Sequence, residues 1–130
     1  MLPDIKAKFT RLIEAKFTCQ CRYAQWIPNI VPVYKKNAKL RVCIDFRDLN
    51  KATPMDGYPM LVADVLVDAA SGHKIISFMD GNAGCNKIFT AEEDISKTVF
   101  KSPGHIGLYE CVVMTFVLKN AGVMYQRAMN

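Results

Sequence analysis

The 130-residue sequence predicts an α+β fold, with antiparallel strands and packed helices in one domain. Apolar residues near the start recur with a helical period, whereas those in the stretch LRVCIDF alternate with a period of two. The predicted order is helix, β-hairpin, loop, helix, strand, helical turn, β-hairpin and helix. The sequence contains no P-loop, no G-x-G-x-x-G and no HExxH motif, so common nucleotide and zinc sites are not indicated.

Composition sets the first limits on function. An apolar fraction of 51% is enough for a hydrophobic core, and no apolar run reaches the roughly 18 residues of a membrane span. The N-terminus lacks a signal-peptide apolar region, and the five cysteines include no C-x-x-C pair. We therefore expect an intracellular protein with reduced thiols and without a zinc site.

The net charge of +5 is unevenly distributed along the chain. Residues 1–60 hold eleven Lys and Arg against five Asp and Glu, whereas residues 61–130 hold six against seven. A basic first half predicts contact with a polyanion, a nucleic acid or a nucleotide. Lysine-rich surfaces that serve only solubility have the same composition, so charge alone leaves both interpretations open.

The first predicted element is an amphipathic helix that Asp4 can cap. Its apolar stripe consists of Ile5, Phe9, Leu12, Ile13 and Phe17. The next element, a β-hairpin in NIVPVYKKNAKLRVCIDF, turns at residues 35–39 and directs an apolar row inward and a charged row outward. Two prolines, at 28 and 32, place its first strand at a sheet edge.

The remaining elements are predicted from apolar patterns and from residues that begin or end helices. Residues 47–60 read as a polar loop, LVADVLVDAASG as a short helix that Gly72 stops, and HKIISFMD as a central strand. Thr90 and Glu93 have capping-box spacing before a helical turn. KTVFKSPGHIGLYECVVM predicts two strands around a Pro-Gly turn, and Asn120 can cap a last helix. Because that helix is still in its pattern at Asn130, we expect the folded domain to be larger than this chain.

Asp80 is the candidate chemical group, because it ends an apolar run and precedes Gly-Asn-Ala-Gly. Two-metal phosphoryl transfer needs carboxylates on a rigid strand, followed by small residues where a triphosphate approaches the main chain. An aspartate that caps its own β-turn has the same local sequence. The lysines and arginine of the hairpin also have two interpretations. They either bind the phosphates of a ligand, or they form a charged sheet edge that prevents aggregation.

Four blocks of the sequence carry a resemblance to a known family: KLRVCIDFRDLNKATPMDGYPM, KIISFMDGNAGCNKIF, AEEDISKTVF and VVMTFVLKNAGVMYQRAMN. In order and spacing they resemble the reverse transcriptase of Ty3/gypsy long-terminal-repeat retrotransposons, in particular the plant-type elements. The resemblance covers nearly the whole chain. It implies the fingers and the first half of the palm of a right-hand polymerase, truncated, with residues 1–60 as N-terminal helix and fingers hairpin and residues 61–130 as a palm/fingers portion with the first catalytic aspartate.

The resemblance also implies roles for individual residues. Asp80 matches the first catalytic aspartate, a ligand of Mg²⁺ (or Mn²⁺), and the carbonyl of Gly81 matches a second metal contact. The positions that match nucleotide contacts are Lys35, Lys36, Arg41, Ala83, Gly84, Cys85, Phe116 and Val117. The positions expected to contact nucleic acid are Lys39, Arg47 and Gln126. The implied partners are an RNA or DNA primer–template, a dNTP and the other Pol domains (RNase H, integrase and protease), in the cytoplasm or a virus-like particle.

The chain departs from the family pattern at several positions. Cys85 stands where the family has an aromatic gate against ribonucleotides, and Val117 replaces the glycine of an F-G-L motif. The Tyr/Phe-x-Asp-Asp hairpin with the other metal aspartates does not occur in these residues. Two hypotheses follow: a polymerase fragment that is inactive alone, or a decayed, non-enzymatic remnant that binds nucleic acid weakly by charge.

Overall fold

Five α-helices, two 3₁₀ turns and five strands form the part of the chain that the computed structural model describes, residues 2–81, 84–104 and 107–130. The helices are α1 (Leu2–Glu14), α2 (Arg47–Ala52), α3 (Ala63–Ala70), α4 (Glu92–Ile95) and α5 (Ala121–Met129). The strands are β1 (Thr18–Cys21), β2 (Ile30–Tyr34), β3 (Leu40–Ile44), β4 (Phe100–Lys101) and β5 (Leu108–Cys111), and the 3₁₀ turns are Gly84–Lys87 and Ser96–Thr98. The predicted α+β class is confirmed. Within the described residues, no helix is long and apolar enough to cross a membrane.

Helix α1 forms because its apolar stripe has somewhere to pack. Ile5 and Phe9 are buried, and the Phe9 ring lies 5.3 Å from that of Phe100, centroid to centroid. The helix ends where Lys16 takes a φ of 58°, and the N–H groups of Lys16 and Phe17 donate to carbonyls of the last turn. Asp4 lies inside the first turn, because the helix already begins at Leu2, so it is not the cap.

A three-stranded antiparallel sheet in the order β1-β5-β4 carries this core. Thr18 pairs with Cys111 and Phe100 with Tyr109, and the Phe100 ring lies 6.3 Å from that of Tyr109. The two strands predicted around the Pro-Gly turn are thus confirmed. Strand β1 was not predicted, because the four residues of TCQC are too few to indicate a strand and their strand structure depends on pairing with β5.

The predicted hairpin is confirmed as strands β2 and β3, which pair from Ile30 opposite Ile44 to Tyr34 opposite Leu40. The turn closes with a hydrogen bond from the Lys35 N–H to the Lys39 carbonyl. The apolar row of β3 is half-buried and packs against the core cluster of α1 and the main sheet. This packing fixes where the hairpin's outer charged row lies.

Two predictions over residues 47–80 need correction. Residues 47–52 form helix α2 rather than a loop, because Arg-Asp-Leu-Asn-Lys-Ala consists largely of residues that a helix accommodates. The central strand predicted at 73–80 is absent. Its backbone forms no hydrogen bond with any other described residue, and a strand exists only when a neighbour pairs with it. Helix α3 forms as predicted, but none of its residues is buried.

The side-chain caps predicted at Thr90 and Asn120 are wrong although both helices form, whereas Gly72 follows the end of α3 with a φ of 83°, as predicted. Thr90 donates its N–H to the Val112 carbonyl beside the Phe89–Val113 bridge, so its backbone belongs to the sheet and Ala91 takes the cap position of α4. Asn120 does occupy the cap position of α5, but its side chain bonds to the loop at residues 54–56 instead of the helix.

Candidate functional site

Asp80 lies at the end of the unpaired apolar segment and is exposed. Among the described residues, no hydrogen bond or ion pair involves its carboxylate. The chain turns directly afterwards, where the Gly84 N–H donates to the Gly81 carbonyl at 3.0 Å and the 3₁₀ turn Gly84–Lys87 begins. The carboxylate is therefore open to a cation, and Ala83, the other predicted triphosphate contact, lies outside the described residues.

The ring of Tyr125, in α5, lies against both glycines of this turn. A Cβ on Gly84 would lie 2.8 Å from Tyr125 Cζ, and one on Gly81 would overlap the Tyr125 hydroxyl. Real Cβ atoms do not approach other atoms so closely, so the turn accepts only glycine at these two positions while the ring is there. Packing against α5 is therefore a reason for the glycines that sequence reasoning missed.

The hairpin cations lie at its exposed tip. Lys35, Lys36 and Lys39 form no ion pair within the described ranges. The Arg41 guanidinium lies over the Phe116 ring, 5.5 Å from its centroid. Two residues predicted to bind nucleotide, from separate blocks of sequence, are thus brought together by a cation–π contact.

A cavity of about 270 Å³ lies between α1, β3 and residues 113–117, and Phe116 is one of its lining residues. Phe116 and Val117 line it together with Cys43 and Asn86. Left-handed φ values at described non-glycine residues occur at Lys16 and Ala38, so valine at 117 is not strained. Val117 therefore departs from the expected glycine by adding bulk, not by distorting the backbone.

Asn50 was not predicted, yet it holds the segment that carries Val117. Its Nδ2 donates to the Val117 carbonyl at 2.9 Å, and its Oδ1 accepts from the Lys119 N–H at 2.8 Å. The Lys119 ammonium donates to the Thr53 carbonyl, and Asn120 bonds to both Pro54 and Asp56. The polar residues clustered at 47–60 were the sequence feature that could have indicated these contacts. Only the fold shows that their hydrogen-bond partners lie 64 or more residues away in sequence.

The remaining predicted site residues either form hydrogen bonds within the protein or lie away from the contacts described above. Arg47 is engaged with the Asp45 carboxylate through bonds of 2.7–3.1 Å, which lowers the pKa of Asp45. Gln126 donates to the Asn130 side chain along α5. Cys85 is half-buried in the 3₁₀ turn. Their predicted contacts with nucleic acid and nucleotide stay predictions.

The residues present fit only part of a divalent-metal site. An exposed carboxylate beside a backbone carbonyl suits Mg²⁺, which prefers oxygen ligands. Over the described part of the chain, however, no three His, Cys, Asp or Glu side chains cluster closely enough to hold a metal. Asp80 and Gly81 can contribute ligands to a shared site, and the described residues do not complete one.

No protein-family profile matches the chain. Curated proteins do match. The Retrovirus-related Pol polyprotein from transposon gypsy of Drosophila melanogaster is 36% identical over 94 residues, which is 72% of this chain and 9% of that protein. The Enzymatic polyprotein of Cauliflower mosaic virus (strain Strasbourg) is 32% identical over 111 residues, 79% of this chain and 16% of that protein. This chain thus spans roughly a tenth of the gypsy protein's length.

Solved structures show the same fold. Prototype foamy virus protease-reverse transcriptase superposes with a TM-score of 0.76 at 17% identity, over 98% of this chain and 17% of that one. The foamy viral protease-reverse transcriptase in complex with dsDNA gives a TM-score of 0.77 at 16% identity, over 98% and 26% of the two chains. At such identities the likeness concerns the fold alone.

Proposed function

Since this chain is homologous to the reverse transcriptase segment of gypsy-type Pol polyproteins and has the corresponding fold, we propose that it supplies the nucleotide-facing fingers and first palm portion of an RNA-directed DNA polymerase. The complete domain would join a dNTP to a primer 3′-OH, with the primer oxygen attacking the α-phosphorus and pyrophosphate leaving. Residues 1–130 alone bind primer–template without catalysing this transfer.

The environment of the Asp80 carboxylate is the observation that carries the proposal. Its carboxylate is exposed, has no protein partner in the described ranges and precedes a turn in which the Gly81 carbonyl and the Gly84 N–H lie 3.0 Å apart. A divalent metal bound there would activate the primer oxygen and neutralise charge on the phosphates. One carboxylate cannot hold two such ions, which is why the segment requires further carboxylates from outside these residues.

The fingers hairpin supplies positive charge for the same ligand. Its three tip lysines are exposed and unpaired within the described residues, and Arg41 is held in place by the Phe116 ring. Phosphate contacts of this kind position a nucleic acid without reading its sequence. The solved dsDNA complex of the foamy viral enzyme supports nucleic acid as the partner of this fold.

A non-enzymatic role is the second candidate, and the residues at 85 and 117 favour it. Cys85 is too small to block a ribose 2′-OH as the aromatic of the family does, and Val117 adds bulk beside the nucleotide-facing segment. A remnant with these changes would retain only electrostatic nucleic-acid binding. The two candidates differ in whether Asp80 matters for chemistry once the missing carboxylates are supplied.

Primer–template binding tests the shared part of both candidates. We expect the affinity of residues 1–130 to fall steeply with salt, and replacing Lys35, Lys36 and Lys39 with Gln should reduce the slope of log K against log[salt] by about 1 for each lysine that contacts a phosphate. Lys97→Gln is the matched control, because Lys97 is already paired with Asp94. A slope unaffected by the triple variant would refute the hairpin's role.

Primer extension with Mg²⁺ or Mn²⁺ tests the incompleteness of the segment. We expect no incorporation by residues 1–130 alone. Incorporation that Asp80→Ala abolishes would show that these residues already form a complete active site. In a protein extended by the downstream aspartates of the family, activity that depends on Asp80 would favour the polymerase, whereas inactivity would favour the remnant.

A further inference from the structure

The cavity between α1, β3 and residues 113–117 is enclosed by side chains that pack within this chain. Phe9, Phe46, Phe100 and Val113 line it, and all four are buried. Buried walls distinguish the cavity from the surface of residues 72–80, whose side chains are exposed. The cavity is therefore formed by these residues themselves, whatever a longer protein places around them.

Two threonine hydroxyls at this cavity are buried without a hydrogen bond. Thr18 and Thr115 both line the cavity, and Thr18 is only 7% exposed. Neither Oγ1 has a hydrogen-bond partner among the residues that the structure describes. A buried hydroxyl without a partner is costly, so each of the two favours a ligand that donates to it or accepts from it.

A neighbouring threonine shows how this core pairs a hydroxyl with the main chain. Thr98 donates from Oγ1 to the Ile95 carbonyl at 2.7 Å, and the same oxygen accepts from the Cys111 N–H at 2.9 Å. Backbone groups can thus satisfy a buried threonine completely here. The hydroxyls of Thr18 and Thr115 are left for a group within the cavity.

The cavity is distinct from the hairpin surface to which we assign the phosphate contacts. It shares Phe116 and Val117 with that surface, but neither Arg41 nor the tip lysines line it. Of the described residues that do, only Lys8 carries a formal charge, and Lys8 is exposed. An anion buried among these walls would lack a partner for its charge, so the cavity favours a neutral ligand.

We propose that this cavity binds a small neutral phenolic molecule, with its ring among the phenylalanines and its hydroxyl paired with Thr18 or Thr115. A phenol hydroxyl both donates and accepts, so it suits a threonine oxygen in either role. An apolar cavity of roughly 150 Å³ admits benzene in another protein, so the volume of about 270 Å³ accommodates a substituted ring. The proposal does not depend on the polymerase assignment.

Titration of phenol into residues 1–130, followed by NMR, measures the dissociation constant. Thr18→Val and Thr115→Val each remove one hydroxyl and keep the side-chain shape, so each should raise the constant about three- to tenfold. Because these hydroxyls have no partner in the described chain, neither change should lower the stability to urea. Thr90→Val is the matched control, since its hydroxyl is also buried and unpaired there but Thr90 does not line this cavity.

Cysteine labelling locates the bound molecule. Cys43 lines the cavity and is half-buried, whereas Cys21 is half-buried outside it. Saturating phenol should therefore slow the reaction of Cys43 with iodoacetamide and leave that of Cys21 unchanged, as measured by peptide mass spectrometry. Equal rates for Cys43 with and without phenol would place the ligand elsewhere and overturn the proposal.

Competing molecules test the chemistry of the cavity. Toluene has the ring without the hydroxyl and should bind about three- to tenfold more weakly than phenol. A dNTP should not displace phenol, because the cations assigned to its phosphates lie outside the cavity. Three results contradict the proposal: no saturable binding of phenol, affinity unchanged in both threonine variants, and displacement by dNTP, which would make the cavity part of the nucleotide site.

Discussion

The Tyr125 ring packs against Gly84 so closely that a Cβ on this residue would lie only 2.8 Å from Tyr125 Cζ. Helix α5 and the turn after Asp80 are therefore fitted to one another. Gly84, which we propose lies beside a triphosphate, is also the residue that the Tyr125 ring requires. Any change at one of the two positions is expected to depend on the other.

Gly84→Ala tests this dependence. We expect it to lower the free energy of unfolding by about 1–3 kcal/mol, because a methyl group overpacks the contact. In a Tyr125→Ala background the loss should nearly disappear, which urea unfolding of the four proteins would show as a coupling energy. Gly57→Ala is the control, since nothing lies within 4 Å of a Cβ there. Equal losses in both backgrounds would exclude Tyr125 as the cause.

Asn50→Ala is expected to destabilise the segment that carries Val117. It removes the partners of the Val117 carbonyl and the Lys119 N–H, and leaving such groups unpaired costs about 1–3 kcal/mol where they are shielded from water. Thermal and urea unfolding measure the loss, and hydrogen exchange at the Lys119 amide localises it. Asn29→Ala removes an exposed amide and should change stability little. An unchanged Lys119 exchange rate would contradict the predicted role.

Cys19 is expected to alkylate slowly at pH 8. Burial and the hydrogen bond to Glu110 raise the pKa of Cys19 to about 11, so its thiolate is about a hundredfold scarcer than that of a thiol at pKa 9.0. Iodoacetamide labelling followed by peptide mass spectrometry measures the rate. Glu110→Gln should accelerate it, whereas Asp48→Asn, which neutralises a carboxylate paired with Lys51, should not.

The same thiol makes stability depend on pH. Because the pKa of Cys19 is higher in the folded chain, the folded state keeps its proton after the unfolded state has lost it. The thiol's contribution to stability is fully present below pH 9.0 and is lost as the pH rises to about 11. Cys19→Ser should reduce this alkaline loss in urea titrations, and an unchanged pH profile would contradict the assignment.

Asp45→Asn is expected to strengthen binding to nucleic acid. The Asp45 carboxylate accepts hydrogen bonds from Nε and Nη2 of Arg47, and its negative charge beside the guanidinium opposes a phosphate contact. Freed of this partner, Arg47 should add about 1 to the salt slope of binding. Arg47→Gln in the unaltered chain should change the slope much less. If Arg47→Gln alone reduces it fully, the ion pair does not restrain Arg47.

Much of the candidate site could be predicted because its signals are local. The alternation through Arg41 predicted the hairpin, and the Asp-Gly stretch after an apolar run indicated Asp80 as the candidate metal-binding group. The positions of Tyr125 and Asn50 could not be predicted, since each contacts residues distant in sequence that no periodicity connects. Helix α2 was missed for a related reason, because six residues are too few to show a helical period.

The sequence by itself determined helix α1, the β2–β3 register and the two strands around the Pro-Gly turn, because side chains spaced at 3.6 or two residues specify which face turns inward. Tertiary structure decided whether apolar segments found partners. TCQC became a strand because β5 lies beside it, whereas KIISFMD, with much the stronger strand pattern, did not become one. A strand is a property of two segments, and hydrogen bonds to a neighbour cannot be read from one of them.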